Sequence, residues 1–406
     1  KTKNQVSLEF MMSELETAQK PSNPVVWNDP KYRALFFQAA LIVGLVYFLF
    51  SVVNNTLSNM EARGISTGFA FLTEKAGFGI LQSLIQFNED SSYGRTFLVG
   101  LMNTGLVAVL GIFLATLLGF GMGVARLSSN WLIAKLATVY IEIFRNIPLL
   151  LQIFFWYFAV LAGLPSPRNS MSLGAGIEFN IRGLYLPGPI PESGFSITVV
   201  AFIVGFIAML FMRRWAHKRQ DETGQQFPVA WVTLGLLIGL PFFVFLLSGM
   251  PMGIEYPVLT GFNFSGGIAL VPELLALVLA LTIYTGAFIA ETVRAGILAV
   301  DHGQTEASLA LGLKRSQLMK LVIIPQAMRV IIPPLTSQYL NLTKNSSLAT
   351  AIGYPDLVNV FMGTTLNQTG QAIEITAMTM AVYLTASLLI SSLMNWYNKK
   401  MALVER

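Results

Sequence analysis

The sequence predicts an all-α polytopic membrane protein, on three observations. Hydrophobic residues make up 54% of the 406 and charged residues only 12%, too little polar surface for a water-soluble chain of this length. Mean hydropathy is +0.62, and apolar runs recur at the length of about 20 residues that a helix needs to cross a bilayer core roughly 30 Å thick. Between these runs stand short loops rich in Lys and Arg.

About eight transmembrane helices are expected in order: Ala34 to Val53, Phe97 to Val124, Ile133 to Ala162, Ser196 to Met212, Val229 to Leu247, Ile268 to Ala290, Leu321 to Thr343 and Ile373 to Trp396. Residues 1–33 are polar and lack the apolar core and small-residue cleavage site of a signal peptide, so the first span is expected to stay as an anchor. From Asn54 to Tyr93, apolar residues such as Phe69, Phe71, Phe78 and Phe87 fall at mixed spacing. Two readings stand there: an amphipathic helix at the outer membrane surface, or short helices packed on the protein's own outer face. From Gly163 to Ser193, Pro165, Pro167, Pro187, Pro189 and Pro191 forbid a long helix. That stretch reads either as a contact for another protein or as a solvated connector.

Basic residues orient the stack. Lys1, Lys3, Lys20, Lys31 and Arg33, then Arg126 and Lys135, Arg213 to Arg219, Arg294, Lys314 to Lys320, and Lys399, Lys400 and Arg406 all fall on one side, expected to be cytoplasmic together with both termini. The net charge of +5 is spread over these loops rather than gathered in a patch, so nucleic acid is not an expected partner. Absence of cysteine excludes disulfides and cysteine metal sites, and His217 and His302 fall in charged loops where they cannot clamp a haem. No metal is expected. Ala115, Gly119 and Gly123 recur at four-residue spacing in an apolar span, a pattern for close helix packing. They are not a phosphate loop, because no strand precedes them and no Lys-Ser or Lys-Thr follows.

Charges inside spans cost roughly 2.5–3.5 kcal/mol on insertion scales and demand partners or a wet cavity. Glu142 and Arg145 stand at i, i+3 on one helical face, followed by Asn146, Pro148 and Gln152, and are expected either to neutralise each other or to face a substrate. Glu291 and Arg294 repeat the spacing, where a structural pair is favoured. At the end of a later span comes the polar string Thr343, Lys344, Asn345, Ser346 and Ser347. Lys344 with its Ser and Asn neighbours makes a donor cluster that suits a carboxylate, and Glu142 an acceptor that suits an ammonium. The bland reading of Lys344 is an ammonium that snorkels to the headgroups. From Gln304 to Leu321, apolar positions fit two short helical pieces with Gly312 at a turn between them, and Pro325 marks the start of the following span.

The run Glu306-Ala307-Ser308, with Gly312 six residues after the Glu and Val322, Ile324 and Pro325 beyond, resembles the cytoplasmic coupling (EAA) loop of ABC importer permeases. Glu291 to Gly296, Gly303 to Ala307, Leu311-Gly312-Leu313 and Pro325 to Arg329 are similar to the polar amino acid uptake branch of that superfamily. The resemblance implies a type I permease core of five spans, those starting at Phe97, Ile133, Ile268, Leu321 and Ile373. It further implies a substrate pathway through Glu142, Arg145, Gln152, Lys344, Asn345 and Ser346, and ATPase coupling through Glu306, Ala307, Gly312 and Pro325. Some relatives read an acidic residue after the Lys; neutral Asn345 here implies weaker selection of cationic substrates and broad specificity.

The implied organisation is residues 1–96 as a cytoplasmic tail, extra span and periplasmic segment; 97–162 as two core spans; 163–264 as an insertion with two extra spans; and 265–406 as three core spans with the coupling loop at about 297–320. The insertion makes the chain similar to the larger permease subunits of general L-amino acid transporters. Implied partners are a second paralogous permease, two ATPase subunits that bind ATP and Mg, a periplasmic binding protein, an L-amino acid and the lipid bilayer of the bacterial inner membrane. This chain itself is expected to hold no cofactor and to be no enzyme. Two other classes are an ion-coupled secondary transporter, for which inverted repeats are expected, and a channel or structural subunit, for which a filter motif is expected. Neither signature is apparent.

Overall fold

A computed structural model describes residues 30–62 and 67–401. The tail with Lys1, Lys3 and Lys20, and the terminal Arg406, lie outside these residues. Among them, seven helices are long and apolar enough to cross a membrane, and eight if one bent pair counts as a span. The chain divides into two units. The first, ending at Gly68, contains α1 (Pro30–Ala62), a longer helix than the expected span. The second, from Phe69 onward, holds all that follows.

Helix α2 (Tyr93–Arg126) starts at Ser92, whose side chain accepts from the Arg95 N–H at 3.3 Å. Helix α3 (Trp131–Asn146) starts at Asn130, which accepts from Leu132 N and Ile133 N. The straight span expected from Ile133 to Ala162 is not formed. It breaks after Asn146, and α4 (Leu149–Phe154), extended by a π-helical turn at Phe155–Val160 and a short 3-10 turn, leaves at 107°. The cause is Pro148, whose ring disfavours helix at the preceding residue; Ile147 accordingly lies extended at φ −96°, ψ 128°.

The stretch from Gly163 to Ser193 contains no long helix, as its prolines require, and forms short strands instead. A sheet in the order β1 (Met171–Gly174), β2 (Ile177–Asn180), β3 (Gly183–Leu186) and β8 (Ile268–Leu270) is antiparallel throughout. Two ribbons accompany it, β4 (Gly188–Pro191) with β5 (Met252–Glu255), and β6 (Val258–Thr260) with β7 (Asn263–Ser265). Prolines do not forbid these strands because Pro189 and Pro191 sit in a two-stranded ribbon with a free edge. The register pairs Leu184 with Leu270 and Leu186 with Ile268, so the stretch expected to begin a span at Ile268 is a strand. Between the strands rise α5 (Phe195–Thr223), which runs past the expected end at Met212 and makes His217 helical, and the pair α6 (Val229–Leu234) and α7 (Leu240–Leu247). A π-helical turn, Gly235–Gly239, joins that pair just before Pro241, a residue without an N–H for the preceding turn.

Helix α8 (Pro272–Leu298) is the most buried span of the second unit: 67% of its apolar window is buried, against 33% or less in every other single-helix span. It packs against α2 and against α11 (Ile324–Asn345), with Leu277, Leu281, Ile289 and Val293 meeting Val107, Ala115, Ile331 and Leu335 in one core. The small-residue stripe acts as expected. A Cβ on Gly119 would lie 2.5 Å from Ile289, and one on Gly123 2.7 Å from the Ala290 carbonyl oxygen. Gly121 faces open space and takes no part.

From Asn54 to Tyr93 no amphipathic helix lies along a membrane surface among the described residues; α1 runs on to Ala62, and only the short turn Ala70–Thr73 is helical beyond it. Phe71 and Ala76 are instead buried with Tyr93, Leu357, Phe361 and Ile375, so of the two readings the structure forms the packing of this segment on the protein itself. Asn103, buried in α2, donates to Gln82 O at 2.9 Å and Pro355 O at 2.8 Å and so ties both outer segments to the core. The chain ends in α13 (Ala372–Met401), reached through a π-helical turn at Val358–Thr365 and the short α12 (Leu366–Thr369).

The bend after α3 carries a prediction. Gln152 is buried and its Nε2 donates to the Phe144 and Ile147 carbonyls, both at 3.0 Å, replacing donors lost at the break. Gln152→Leu should therefore destabilise the protein by about 1–3 kcal/mol, read as a lower Tm in detergent. An unchanged Tm would remove this role.

Candidate coupling surface and transport pathway

The expected coupling segment folds as two short helices around a turn. Helix α9 (His302–Ala310) is capped by Asp301, which accepts from Gly303 N at 2.7 Å. It closes with Leu313 N donating to Ser308 O at 3.1 Å and Gly312 N to Leu309 O at 2.9 Å, the Schellman pattern. That pattern places Gly312 at φ +77°, with nothing within 4 Å of a would-be Cβ, so the backbone angle alone demands glycine. Helix α10 (Arg315–Leu318) follows and passes through a π-helical turn, Met319–Ile323, into α11. Pro325 thus lies in the second residue of α11, and the wider turn accommodates its missing N–H within one continuous helical path.

The segment is anchored on one side and open on the other. Ser308 and Leu318 are buried, and Gln326 Nε2 donates to Gln304 Oε1 at 3.1 Å, joining α9 to α11. Leu309 and Leu311 are 53% and 82% exposed, and Ala307 and Ala310 are exposed beside them. Apolar periodicity gave this stripe no outward direction, and the fold points it away from the protein. Glu306 is also exposed, its Oε1 bonded to His302 Nδ1 at 3.1 Å on the same helix.

Of the two acid–base pairs at i, i+3 spacing, Glu291 with Arg294 forms and Glu142 with Arg145 does not. Glu142 turns from Arg145 to Arg126, the last residue of α2, at 3.4 Å. Arg126 also reaches Glu291 on α8, and Glu291 holds Arg294 at 2.6 Å, as expected for the structural pair. One guanidinium thereby bridges α2, α3 and α8. Arg126 had been counted only as a loop charge, because its two carboxylates lie 16 and 165 residues away in sequence. Arg145 lies 5.2 Å from the Phe288 ring centroid and lines a cavity of about 310 Å³ with Glu291, Thr292, Val330, Pro334 and Gln338. Pro334 supplies no N–H to the Val330 carbonyl, a way for helices to present backbone acceptors to a pathway.

Lys344 lines a different and larger cavity, of about 510 Å³, with Ser347, Thr379, Tyr383 and Ser387. The structure does not bring Glu142 to it. Glu142 belongs to the Arg126 bridge, so the expected division of a zwitterion between Lys344 and Glu142 has no common cavity. Ser346 is fully buried with its Oγ donating to Thr343 O at 2.8 Å, and Gln152 is committed to the bend, so both side chains serve local backbone carbonyls. Asn345 is half-buried beside Lys344.

Sequence reasoning also passed over Asp356. It is fully buried, its Oδ1 accepts from Asn359 N at 2.8 Å, and Tyr383 Oη approaches Oδ2 at 3.5 Å. Burial pushes its carboxyl up to about 7, above the ordinary carboxylate range. A raised acid pKa makes the folded state bind more protons than the unfolded one between about 4 and 7. Stability should therefore fall as pH rises through that window and level off above it. Asp356→Asn, which keeps an acceptor for Asn359, should flatten this slope in denaturant titrations at stepped pH; an unchanged slope would assign it elsewhere.

Known proteins resemble this chain over most of its length. Residues 115–403 match the family model described as "Binding-protein-dependent transport system inner membrane component". The chain is 55% identical, over 93% of its length and 94% of the relative's, to the "General L-amino acid transport system permease protein AapQ" of Rhizobium johnstonii. It is 54% identical, over 93% and 96%, to the "Putative amino-acid ABC transporter permease protein YhdX" of Escherichia coli. A third relative, the "Glutamate/glutamine/aspartate/asparagine transport system permease protein BztB" of Rhodobacter capsulatus, is 42% identical over 93% and 96%. These matches run through the insertion as well as the core. The chain belongs to the family of binding-protein-dependent transport system inner membrane components.

Proposed function

We propose that this chain is one permease half of an ATP-driven, binding-protein-dependent importer of L-amino acids in the bacterial inner membrane, with both termini cytoplasmic. The observation that carries the reading is the outward stripe of α9 and its Gly312 turn: an anchored, rigid knob with exposed Leu309, Leu311 and Glu306. A rigid knob transmits rotation of a bound ATPase, whereas a floppy loop absorbs it. Two ATPase subunits supply ATP and Mg chemistry, a paralogous permease supplies the second knob, and a periplasmic binding protein delivers the substrate. The names of the relatives favour L-amino acids, and their coverage of residues in the insertion favours the general, broad-specificity type. None of these relatives supports the ion-coupled alternative.

Within this reading, Arg145 and Lys344 are the pathway cations, each in its own cavity, while Ser346 and Gln152 shape the walls. Glu142 acts through Arg126. Residues 97–162 and 265–406 form the core, and the coupling loop is residues 297–320.

Reconstituted with its partners, the protein should take up labelled amino acids only with ATP and loaded binding protein. Glu306→Lys and Gly312→Asp should lower that uptake by at least about tenfold while the permease halves still assemble. Uptake that persists in both variants, or that runs on an ion gradient without ATP, would contradict the assignment.

A further inference from the structure

The β2–β3 turn, the β6–β7 ribbon and the first turn of α8 enclose a third polar cavity, of about 360 Å³, beside the π-helical turn that follows α4. It lies in and under the insertion, at the end of α8 remote from the coupling helices. Two opposite charges line it, Arg182 from the β2–β3 turn and Glu273 from the first turn of α8. They form no ion pair with each other, and among the described residues Arg182 pairs with no carboxylate.

The groups around them are committed in one direction only. Tyr157 donates its hydroxyl to Glu273 Oε1 at 2.8 Å, which orients the carboxylate and leaves Oε2 for another donor. Tyr185, buried to 4% exposure, donates to Asn263 Oδ1 at 2.7 Å and fixes that amide with its Nδ2 uncommitted. A lone exposed Arg would be an ordinary surface charge. Here a guanidinium, a carboxylate held by a tyrosine and a fixed amide share one cavity of the roughly 300–1,000 Å³ typical of small-molecule sites.

We infer that this cavity is a receiving subsite for a zwitterionic α-amino acid on the periplasmic side, with Arg182 holding the carboxylate and Glu273 the ammonium. The guanidinium fork matches a carboxylate in two parallel hydrogen bonds, and Glu273 offers the acceptor an ammonium needs. Selection falls on the groups common to all α-amino acids, because the lining residue Leu81 is 90% exposed and the cavity offers no further charged side chain to read a substituent. The β3–β8 ladder ends one residue before α8 begins, so a ligand held here rests on the start of the helix at the centre of the core. This inference rests on the amino acid import reading.

The test uses the full transporter with its partner permease, ATPases and binding protein, and L-glutamine as the probe. Direct binding of labelled L-glutamine to the purified complex, without binding protein, should weaken about tenfold in Arg182→Gln and in Glu273→Gln. The decarboxylated analogue 4-aminobutanamide should compete poorly with L-glutamine on the wild type and should lose nothing further in Arg182→Gln. ATP-driven uptake should fall with binding, while docking of loaded binding protein, measured by surface plasmon resonance, and basal ATPase activity stay unchanged. Unchanged glutamine binding in both variants would overturn the subsite, and so would loss of binding-protein docking, which would make this face a protein contact. Absence of ATP-driven uptake by the wild type would contradict the import reading instead, and the direct binding comparison would still decide the subsite.

Discussion

Between α2 and α8 the two backbones approach as closely as atoms allow, with Gly119 against Ile289 and Gly123 against the Ala290 carbonyl. Lipid tails are as apolar as the side chains of a span, so burial alone does not drive helices together in a membrane. Close van der Waals contact does. Any side chain at Gly119 or Gly123 would separate these helices, and the position of every element that leans on α8 follows from that contact.

Two further links attach to the same helix pair. One turn beyond Gly123, Arg126 reaches across to Glu291 on α8 and Glu142 on α3, closing the three helices with a shared guanidinium. Such a bridge is more than a surface pair, because Arg126 and Glu291 are only 19% and 24% exposed, so removing either leaves the other's charge poorly solvated. After α8 the chain enters α9, which Gln304 ties to Gln326 at the start of α11. The α9 knob is therefore attached to two of the three helices that line the Arg145 cavity, α8 through Phe288 and Thr292 and α11 through Val330 and Gln338; the third is α3, which carries Arg145 itself. On the proposed reading, a displacement of the knob has a short, packed route to the Arg145 cavity.

Much of this was legible in the sequence because a bilayer imposes lengths and charge asymmetries that survive in one dimension. The Gly119 and Gly123 stripe, the Gly312 turn and the two-piece coupling segment follow from spacing and backbone chemistry. Contacts between distant residues were not legible. Glu142 has a cation three residues along its own helix and chooses one from another helix; Gln152 reads as a pathway amide and serves a broken backbone. Pro148 disfavours helix at the residue before it, yet the size of the bend depends on how far Ile147 turns extended, a choice that packing decides. Strands of three or four residues in the insertion carry too short an alternation to stand out among Pro and Gly. Asn103 and Asp356 were visible as polar residues in apolar surroundings, a signal that marks buried hydrogen bonds as readily as pathways.

The central claim is that the exposed face of α9 is the mechanical contact with an ATPase. The chain has no cysteine, so a single cysteine at Leu311 gives a clean chemical probe. Paired with single cysteines in the ATPase subunit of the reconstituted complex, it should form an intermolecular cross-link whose yield changes between ATP-bound and nucleotide-free states. A cysteine at Leu247, beyond the coupling segment, should give none. No cross-link at Leu311, or one that ignores nucleotide while Leu247 reacts, would contradict the account.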